Sequence, residues 1–443
     1  MPPDTQHHPA AAIELLLTDL SGVTRGKRVP ARELDHVLHA GVPLIGSLHA
    51  LDIHGENVDE AGLALATGDG DKLLVPADGR VMPVPWAGEH ASCLLMTLME
   101  PDGRPFFGDP RHVLARTVGH LADLGLTPVV ACELEFYLVD AERTPGGGPQ
   151  PPRSPLTGRR DWSIQTYAID ELEAYGPYLS AVAEACARQG VVTGSILAEY
   201  APGQFEINLE HGPDALRAAD EAVLLKRAVR GVARAQGMDA TFMAKPYGGH
   251  SGSGLHMHVS LLDRDGRNVL EDEAVLRHAV GGLLATMAEA MAIFAPNANS
   301  FRRLQRGSYA PTVPTWGEDN RTVAVRTLGS GPSRRIEHRL AGADANPYLA
   351  LAAVLAGLHH GIARKVEPPA PVTGNAYDAG PGGLPALPRR LPEALDAFEA
   401  GQVLPGYIGG DYHRLYSAVR GGELRKFEAL YDRREMDWYL AVI

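Results

Sequence analysis

Three short segments set acids and histidines two residues apart: Cys132-Glu133-Leu134-Glu135-Phe136, Gln204-Phe205-Glu206-Ile207-Asn208 and Leu255-His256-Met257-His258-Val259. Each reads as a β-strand. Strand side chains alternate faces, so Glu133 and Glu135 point the same way, as do His256 and His258. Glu199 and the run Arg334-Arg335-Ile336-Glu337-His338-Arg339 complete the set. Carboxylates crowded on one face repel unless a cation sits among them. Glu133, Glu135, Glu199, Glu206, Glu337 and His256 could together hold two divalent metals, and oxygen-rich ligation with one imidazole suits Mg2+ or Mn2+ better than zinc. Arg321, Arg326, Arg334, Arg335 and Arg339 are spread over two neighbouring strand candidates. Guanidinium binds carboxylate or phosphate bidentately. Metal-poised acids beside such arginines point to phosphoryl transfer.

Simpler readings exist for each piece. Alternating acids also occur on solvated strands, but Val129, Val130 and Leu138 make this one too apolar for an exposed edge, and burying unpaired carboxylates costs several kcal/mol. Glu199 and Glu206 bracket the turn Ala201-Pro202-Gly203-Gln204, which puts two acids at adjacent strand ends. Most histidines on apolar strands are core residues rather than ligands. The loop Gly248-Gly249-His250-Ser251-Gly252-Ser253-Gly254 lacks the Gly-Lys-Ser/Thr of a phosphate-binding loop, although its glycines let backbone approach a ligand closely.

The chain must position these residues with 443 residues, 45% of them apolar, enough for two domains and a sizeable core. A net charge of −13 argues against nonspecific nucleic-acid binding and favours solubility. Three cysteines without a CxxC pair argue against a disulfide framework and for a reducing, cytoplasmic setting. The start, Met-Pro-Pro-Asp-Thr-Gln-His-His, lacks the basic and apolar regions of a signal peptide. No apolar run approaches a membrane span, and none is expected.

Short apolar runs punctuated by Gly and Pro, from Ile13 to about Phe107, predict a small strand-rich domain. Asp109 and Pro110 read as the N-cap and first residue of a helix. Strands are expected at Val129–Val139, Val191–Leu197, Gln204–Leu209, Leu255–Leu262, Thr322–Leu328 and Arg335–Leu340. Helices are expected at Leu172–Gln189, Asp214–Gln236, Glu273–Phe294, from Pro347 to Ile362 behind an Asn346 cap, and from about Glu423. The stretch Gly146–Pro152 reads as a disordered-looking loop and Val366–Pro392 as an irregular connection. The class is α+β, with a sheet supplying acidic strands to a cleft.

At this point the chain resembles the glutamine synthetase superfamily (type I-like), nearly end to end. The resemblance is carried by Ala131-Cys-Glu-Leu-Glu-Phe-Tyr, Glu199-Tyr-Ala-Pro-Gly-Gln-Phe-Glu206, Lys245-Pro-Tyr, Gly252-Ser-Gly-Leu-His256-Met-His258-Val-Ser260, Asn299-Ser-Phe-Arg-Arg303-Leu, Asn320-Arg321, Arg335-Ile-Glu337-His-Arg339 and Ala345-Asn-Pro-Tyr. It implies a β-grasp-like N-terminal domain (11–105) and a catalytic domain (106–443) whose antiparallel sheet forms the active-site cleft. It implies a homo-oligomer, a dodecamer of two stacked hexameric rings, with sites formed between neighbouring subunits. By the same match Glu135, Glu199 and Glu206 hold one metal, and Glu133, His256 and Glu337 the second. Arg326 and Arg335 contact ATP phosphates, with His258 and Ser260 close to the nucleotide. Arg303 and Arg339 clamp glutamate, Gly252 lies against its amino end, and Arg321 stabilises an acyl-phosphate.

The departures concern the amine. Where glutamine synthetases carry a glutamate that binds and deprotonates ammonium, this chain reads Gln305-Arg306-Gly307-Ser308-Tyr309-Ala310-Pro311, with Tyr309 in its place. Ile45 stands where the family's N-terminal aspartate is expected, and Ser251 replaces the Asn of Asn-Gly-Ser-Gly-Met-His. A pocket without both acids is poor for ammonium, and a phenol offers an apolar wall and a cation–π face. The resemblance therefore implies the γ-glutamyl-polyamine or γ-glutamyl-monoamine synthetase branch. The alternatives are a glutamine synthetase using ammonia and a non-catalytic structural or regulatory relative. For a polyamine, the loop of Asp52, Glu56, Asp59 and Glu60 could offer acids to distal ammonium groups from a neighbouring subunit.

Overall fold

The computed structural model describes residues 12–164, 166–430 and 433–440. A first sheet is built from β1 (Ala12–Thr18), β2 (Thr24–Pro30), β3 (Val42–Ile45), β4 (Asp71–Pro76), β5 (Met82–Pro83) and β6 (Ala91–Met99), with helix α1 (Leu34–Ala40) between β2 and β3. Its order is β2-β1-β6-β4-β3, with β5 also on β6; the central β1/β6 pair is parallel and the others antiparallel. That is the β-grasp-like arrangement expected. The run Glu14-Leu-Leu-Leu-Thr is apolar without alternation because both of its faces are covered. Ile13, Leu15 and Leu17 enter the small core of this sheet, while Leu16 and Leu20 enter the main core.

The rest of the chain begins with α2 (Pro110–Asp123). Asp109 caps it, its side chain accepting from Arg111 N–H, and Pro110 occupies the first turn as predicted. There follow β7 (Thr127–Asp140), α3 (Ile169–Ala174), α4 (Gly176–Arg188), β8 (Thr193–Ala198), β9 (Gln204–Leu209), α5 (Ala215–Ala235), β10 (Met238–Thr241), β11 (Leu255–Leu262), α6 (Glu273–Thr286), α7 (Met291–Phe294), β12 (Trp316–Glu318), β13 (Val325–Leu328), β14 (Arg335–His338) and α8 (Pro347–Arg364). The second sheet runs β12-β13-β14-β11-β7-β9-β8, with β10 also on β7. It is antiparallel except for the edge pair β12/β13, which is parallel.

One face of this sheet is apolar. Val130, Cys132, Leu134 and Phe136 of β7 and Leu255, Met257 and Val259 of β11 are buried in the main core, and α5 packs against β7. Alternation then directs Glu133, Glu135, His256 and His258 to the opposite face. Behind, α8 is the buried apolar helix foreseen from sequence, capped by Asn346, whose side chain accepts from Tyr348 and Leu349 N–H. It meets α6 backbone to backbone: a Cβ on Gly282 would lie 2.2 Å from Gly357 O. All three cysteines are free and buried.

Several expected elements differ. The single helix Leu172–Gln189 is two, α3 and α4, because Pro177 in the first turn of α4 has no N–H to continue a ladder. Glu273–Phe294 divides after Thr286, whose hydroxyl donates back to Gly282 O, a bond that competes with the helix. The loop Gly146–Pro152 is ordered at its end, where Pro151 and Pro152 are buried. The last long helix starts well before Glu423: after α9 (Leu391–Glu399) and α10 (Leu404–Ile408), α11 spans Gly410–Glu428, and α12 follows at Arg433–Tyr439. Glycine-rich composition hid α11; burial of Tyr412, Leu415, Tyr416 and Val419 overrides the low propensity. Among the described residues no helix is long and apolar enough to cross a membrane.

Candidate active site

Strand register assembles the acids. Glu133 on β7 lies opposite His256 of β11 and Asn208 of β9, and Glu135 lies opposite Glu206. Across β11, His258 lies opposite Glu337 of β14, which itself faces Arg326 of β13. Opposed residues share a face, so one row reads Arg326, Glu337, His258 and the next His256, Glu133. Glu199 follows β8, and its backbone N–H donates to Gln204 O at 2.8 Å.

Among the described residues, three groups have ligand atoms within 4.8 Å of one another: Glu135, Glu199 and Glu206; Glu133, Glu206 and His256; and Glu133, His258 and Glu337. The first is the trio expected for one metal. The second expected trio, Glu133 with His256 and Glu337, is not among them as such. His256 Nδ1 lies 3.3 Å from Glu133 and 3.8 Å from Glu337, but it is His258 that groups with both acids. The odd/even rhythm could not choose between two histidines on one face.

The charges are unevenly satisfied. Burial raises the pKa of Glu133, but contacts from His256 Nδ1 (3.3 Å) and His258 Nε2 (2.9 Å) outweigh it and hold the carboxyl well below its ordinary range. Burial likewise raises Glu337, and Arg339 and the two histidines more than offset it. Arg326 Nη1 donates to Glu337 at 3.1 Å and Arg339 Nη1 donates to its other oxygen. Among the described residues no arginine or histidine side chain donates to Glu199 or Glu206, and Arg321 acts on Glu199 through its charge alone. Burial, then Glu135, push Glu199 up to about 7. Burial, then Glu133, Glu135 and Glu199, push Glu206 up to about 10. Carboxylates directly opposed across a ladder destabilise it unless a cation joins them. An oxygen-rich donor set with at most one imidazole per group therefore fits Mg2+ or Mn2+.

The acids form the floor of a cleft of about 990 Å3 that also contains Arg303, Arg321, Arg326, Arg335, Arg339, His258, Ser251, Gly252 and Tyr309. Arg326 and Arg339 each keep a buried Nε without a partner among the described residues, donors left for an anion. Arg335 Nε lies 3.3 Å from His258 Nδ1. Arg303 is buried, with Nη1 on Leu340 O (2.9 Å) and Nη2 on Arg339 O (3.2 Å). Gly252 packs against it so closely that a Cβ there would lie 2.6 Å from Arg303 Cγ. Arg321 is exposed at the rim, and its charge offsets part of the upward push on Glu199.

Tyr309 is 62% exposed and adopts φ +57°, a left-handed conformation that costs a non-glycine residue roughly 1 kcal/mol. Ser251 is engaged rather than open: its carbonyl accepts from the Tyr137 hydroxyl at 2.6 Å and its hydroxyl donates to Gln204. Two expected site residues lie off the cleft. Ser260 is half-buried on β11, its hydroxyl donating to Arg334 O at 3.0 Å, and Ile45 is exposed at the end of β3. The acidic loop is also spoken for within the chain: Lys426 of α11 pairs with Asp52 and Glu56, and Arg425 with Glu60.

Sequence reasoning passed over Gln204, which is 2% exposed and donates to Gly252 O at 3.0 Å, tying β9 to the glycine loop. It stands two residues before Glu206, the same alternation that revealed the acids. It also passed over Tyr167 and Tyr200, exposed phenols of the same cleft on loops without any period to betray them.

Comparison with known proteins places this geometry. Residues 107–439 match the model of the glutamine synthetase catalytic domain. The chain is 42% identical to the gamma-glutamylputrescine synthetase PuuA of Escherichia coli (strain K12), covering 99% of this chain and 92% of that protein. It is 34% identical to the gamma-glutamylethanolamide synthetase GlnA4 of Streptomyces coelicolor, covering 94% and 90%. The solved structure described as the GmaS/ADP complex, conformation 1, superposes with a TM-score of 0.85 at 27% identity, covering 98% of this chain and 97% of that one. With its acidic sheet, its buried arginines and these matches together, the chain belongs to the glutamine synthetase superfamily, in the branch of the γ-glutamyl-amine synthetases.

Proposed function

We propose that the protein is an ATP-dependent carbon–nitrogen ligase that joins the γ-carboxylate of glutamate to an amine through a γ-glutamyl phosphate. The observation that carries the amine half is the makeup of the cleft. Its acids lie on the sheet face (Glu133, Glu135, Glu206 and Glu337) or directly after β8 (Glu199), while the turn from Gln305 to Ala310 contributes Tyr309 and no carboxylate. Glu135, Glu199 and Glu206 would hold one Mg2+ or Mn2+. Glu133 and Glu337 would hold the second with His256, or with His258, whose placement favours it equally. When bound, such ions neutralise phosphate charge and orient the transferred group. Arg326 and Arg335 receive the ATP phosphates beside His258, with Ser260 behind them on β11 and outside the cleft, Arg303 and Arg339 orient glutamate, and Gly252 admits its amino end. An oxygen of the γ-carboxylate attacks the terminal phosphorus and ADP leaves; the amine nitrogen then attacks the acyl carbon, loses a proton, and phosphate departs. Arg321 faces the charge that develops on the acyl-phosphate.

The same reading divides the chain into a β-grasp-like domain (11–105) and a catalytic domain (106–443), and assembles it in the cytoplasm as a dodecamer of two stacked hexameric rings. Ile45, 39% exposed and outside its own cleft, would border the amine pocket of a neighbouring copy. Tyr309 and Ser251 would complete that pocket.

Phosphate release with glutamate, ATP and Mg2+ or Mn2+ tests the reading over putrescine, spermine, ethanolamine, small alkylamines, anilines and ammonia. Turnover should exceed that with ammonia for at least one amine at equal concentration. Ammonia as the best substrate would make this a glutamine synthetase, and no ATP turnover with any acceptor would make it a non-catalytic relative.

The raised carboxylates give a second prediction. Glu199 and Glu206 stay protonated in the metal-free fold up to about 7 and about 10, whereas their reference value is 4.5. The folded chain therefore holds protons that the unfolded chain has released, so stability falls as pH rises from 4.5 through 7 toward 10. A divalent cation replaces those protons. Mg2+ or Mn2+ should raise Tm more at about pH 8.5 than at about pH 6, and its binding should release protons. Equal Tm gains at both pH values would count against these two acids as ligands.

A further inference from the structure

Tyr309 poses a positional problem. It is exposed and left-handed, so side-chain packing does not hold it where the amine reading needs it. Its turn is held instead from the segment 372–378, inside the stretch whose sequence reads as an irregular connection. The Tyr377 hydroxyl, on a residue 8% exposed, donates to Ala310 O at 3.0 Å, next to Tyr309. At the other end of the turn, Arg306 donates to Tyr377 O and to Asp378 Oδ1. The same segment grips the loop of Arg321 on both sides. Asn320 Nδ2 donates to Val372 O (3.1 Å) and Gly374 O (2.8 Å), and Thr322 Oγ1 accepts from Ala376 N–H at 3.0 Å. A short 3-10 turn, Ala376–Asp378, capped by the Asn375 side chain on Tyr377 N–H, stiffens the span.

We propose that residues 372–378 form a strap that sets Tyr309 relative to Arg321, with Tyr377 as a positioning residue for acceptor-amine selection. This rests on the amine-ligase reading above. The two halves of the grip differ in strength. The Arg306–Asp378 pair is exposed on both sides, and such pairs contribute little. The Tyr377–Ala310 bond is buried, and its loss leaves the Ala310 carbonyl unsatisfied. Tyr377 is therefore the dominant clasp. It does not line the cleft, so it acts through Tyr309 rather than on substrate.

Tyr377→Phe removes only the hydroxyl. Expected results are faster hydrogen exchange of the amides from Arg306 to Ala310, a KM for the amine raised roughly five- to tenfold, and KM values for glutamate and ATP within about twofold of the parent. A larger share of phosphate released without amide formed should accompany them, because a misplaced wall leaves the acyl-phosphate open to water. Asp378→Asn should change each of these less than Tyr377→Phe does. Unchanged exchange in Tyr377→Phe would overturn the strap whatever the substrate is. Faster exchange with all three KM values shifted alike would overturn the positioning role. If the parent protein used no amine, the amine-ligase reading would fail, and with it the selection role, while the exchange data would still decide the strap.

Discussion

Glu337→Gln is expected to reduce glutamate-dependent ATP turnover by on the order of 10^3-fold, the scale of losing a group that organises charge in a transition state. Glu337 stands where three sets of contacts meet: Arg326 and Arg339 on its oxygens, His258 opposite on β11, and His256 Nδ1 at 3.8 Å. Glutamine suits the test better than alanine. Alanine would leave the buried Arg339 guanidinium with neither counter-ion nor acceptor, a loss of about 3–5 kcal/mol that could unfold the site, while Arg326 keeps Asp319. Glutamine keeps the volume and an acceptor oxygen while removing the charge a metal would need. Circular dichroism should stay close to the parent and Tm should fall less than in Glu337→Ala, and metal titration should show one class of sites weakened. Retained turnover with a folded protein would refute the assignment of Glu337 to the metal centre.

Tyr309→Glu should move the acceptor preference toward ammonia, raising kcat/KM for ammonia relative to the best larger amine by roughly ten- to a hundredfold. That is the worth of a charge-assisted hydrogen bond to ammonium. The new carboxylate would sit on a turn that is already exposed and left-handed, so the substitution disturbs no packed side chain. It would also add a proton acceptor where the cleft now has none. Competition between ammonia and an alkylamine, read as the ratio of amide products, is the direct measurement. An unchanged ratio would place the acceptor pocket elsewhere in the cleft, with Tyr167 and Tyr200 as the remaining exposed phenols to examine.

Much of the site was legible because strand alternation is a local property. Glu133 and Glu135, or His256 and His258, share a face whatever the rest of the chain does. Caps were equally legible: Asp109 and Asn346 accept backbone N–H groups a few residues ahead, and nothing distant is needed. Most of helix α11, the part before Glu423, was not legible, since its glycines lower local propensity and only burial of its tyrosines restores it. The acids of the loop Asp52–Glu60 looked free for a ligand because Lys426 and Arg425, which pair with three of them, lie far along the chain.

The sequence by itself determined the kind of chemistry, since residue type and alternation put acids and histidines on one side of a few strands, and the family resemblance supplied the reaction. Tertiary structure decided the pairings. That Glu135 opposes Glu206, that both His256 and His258 come up to Glu133 and Glu337, and that Tyr377 reaches the turn of Tyr309 all depend on register and on contacts between distant segments. Register is set by the packing of the sheet's apolar face against α5 and the core behind it, and a one-residue slip would turn every acid inward. Local periodicity carries no record of that choice.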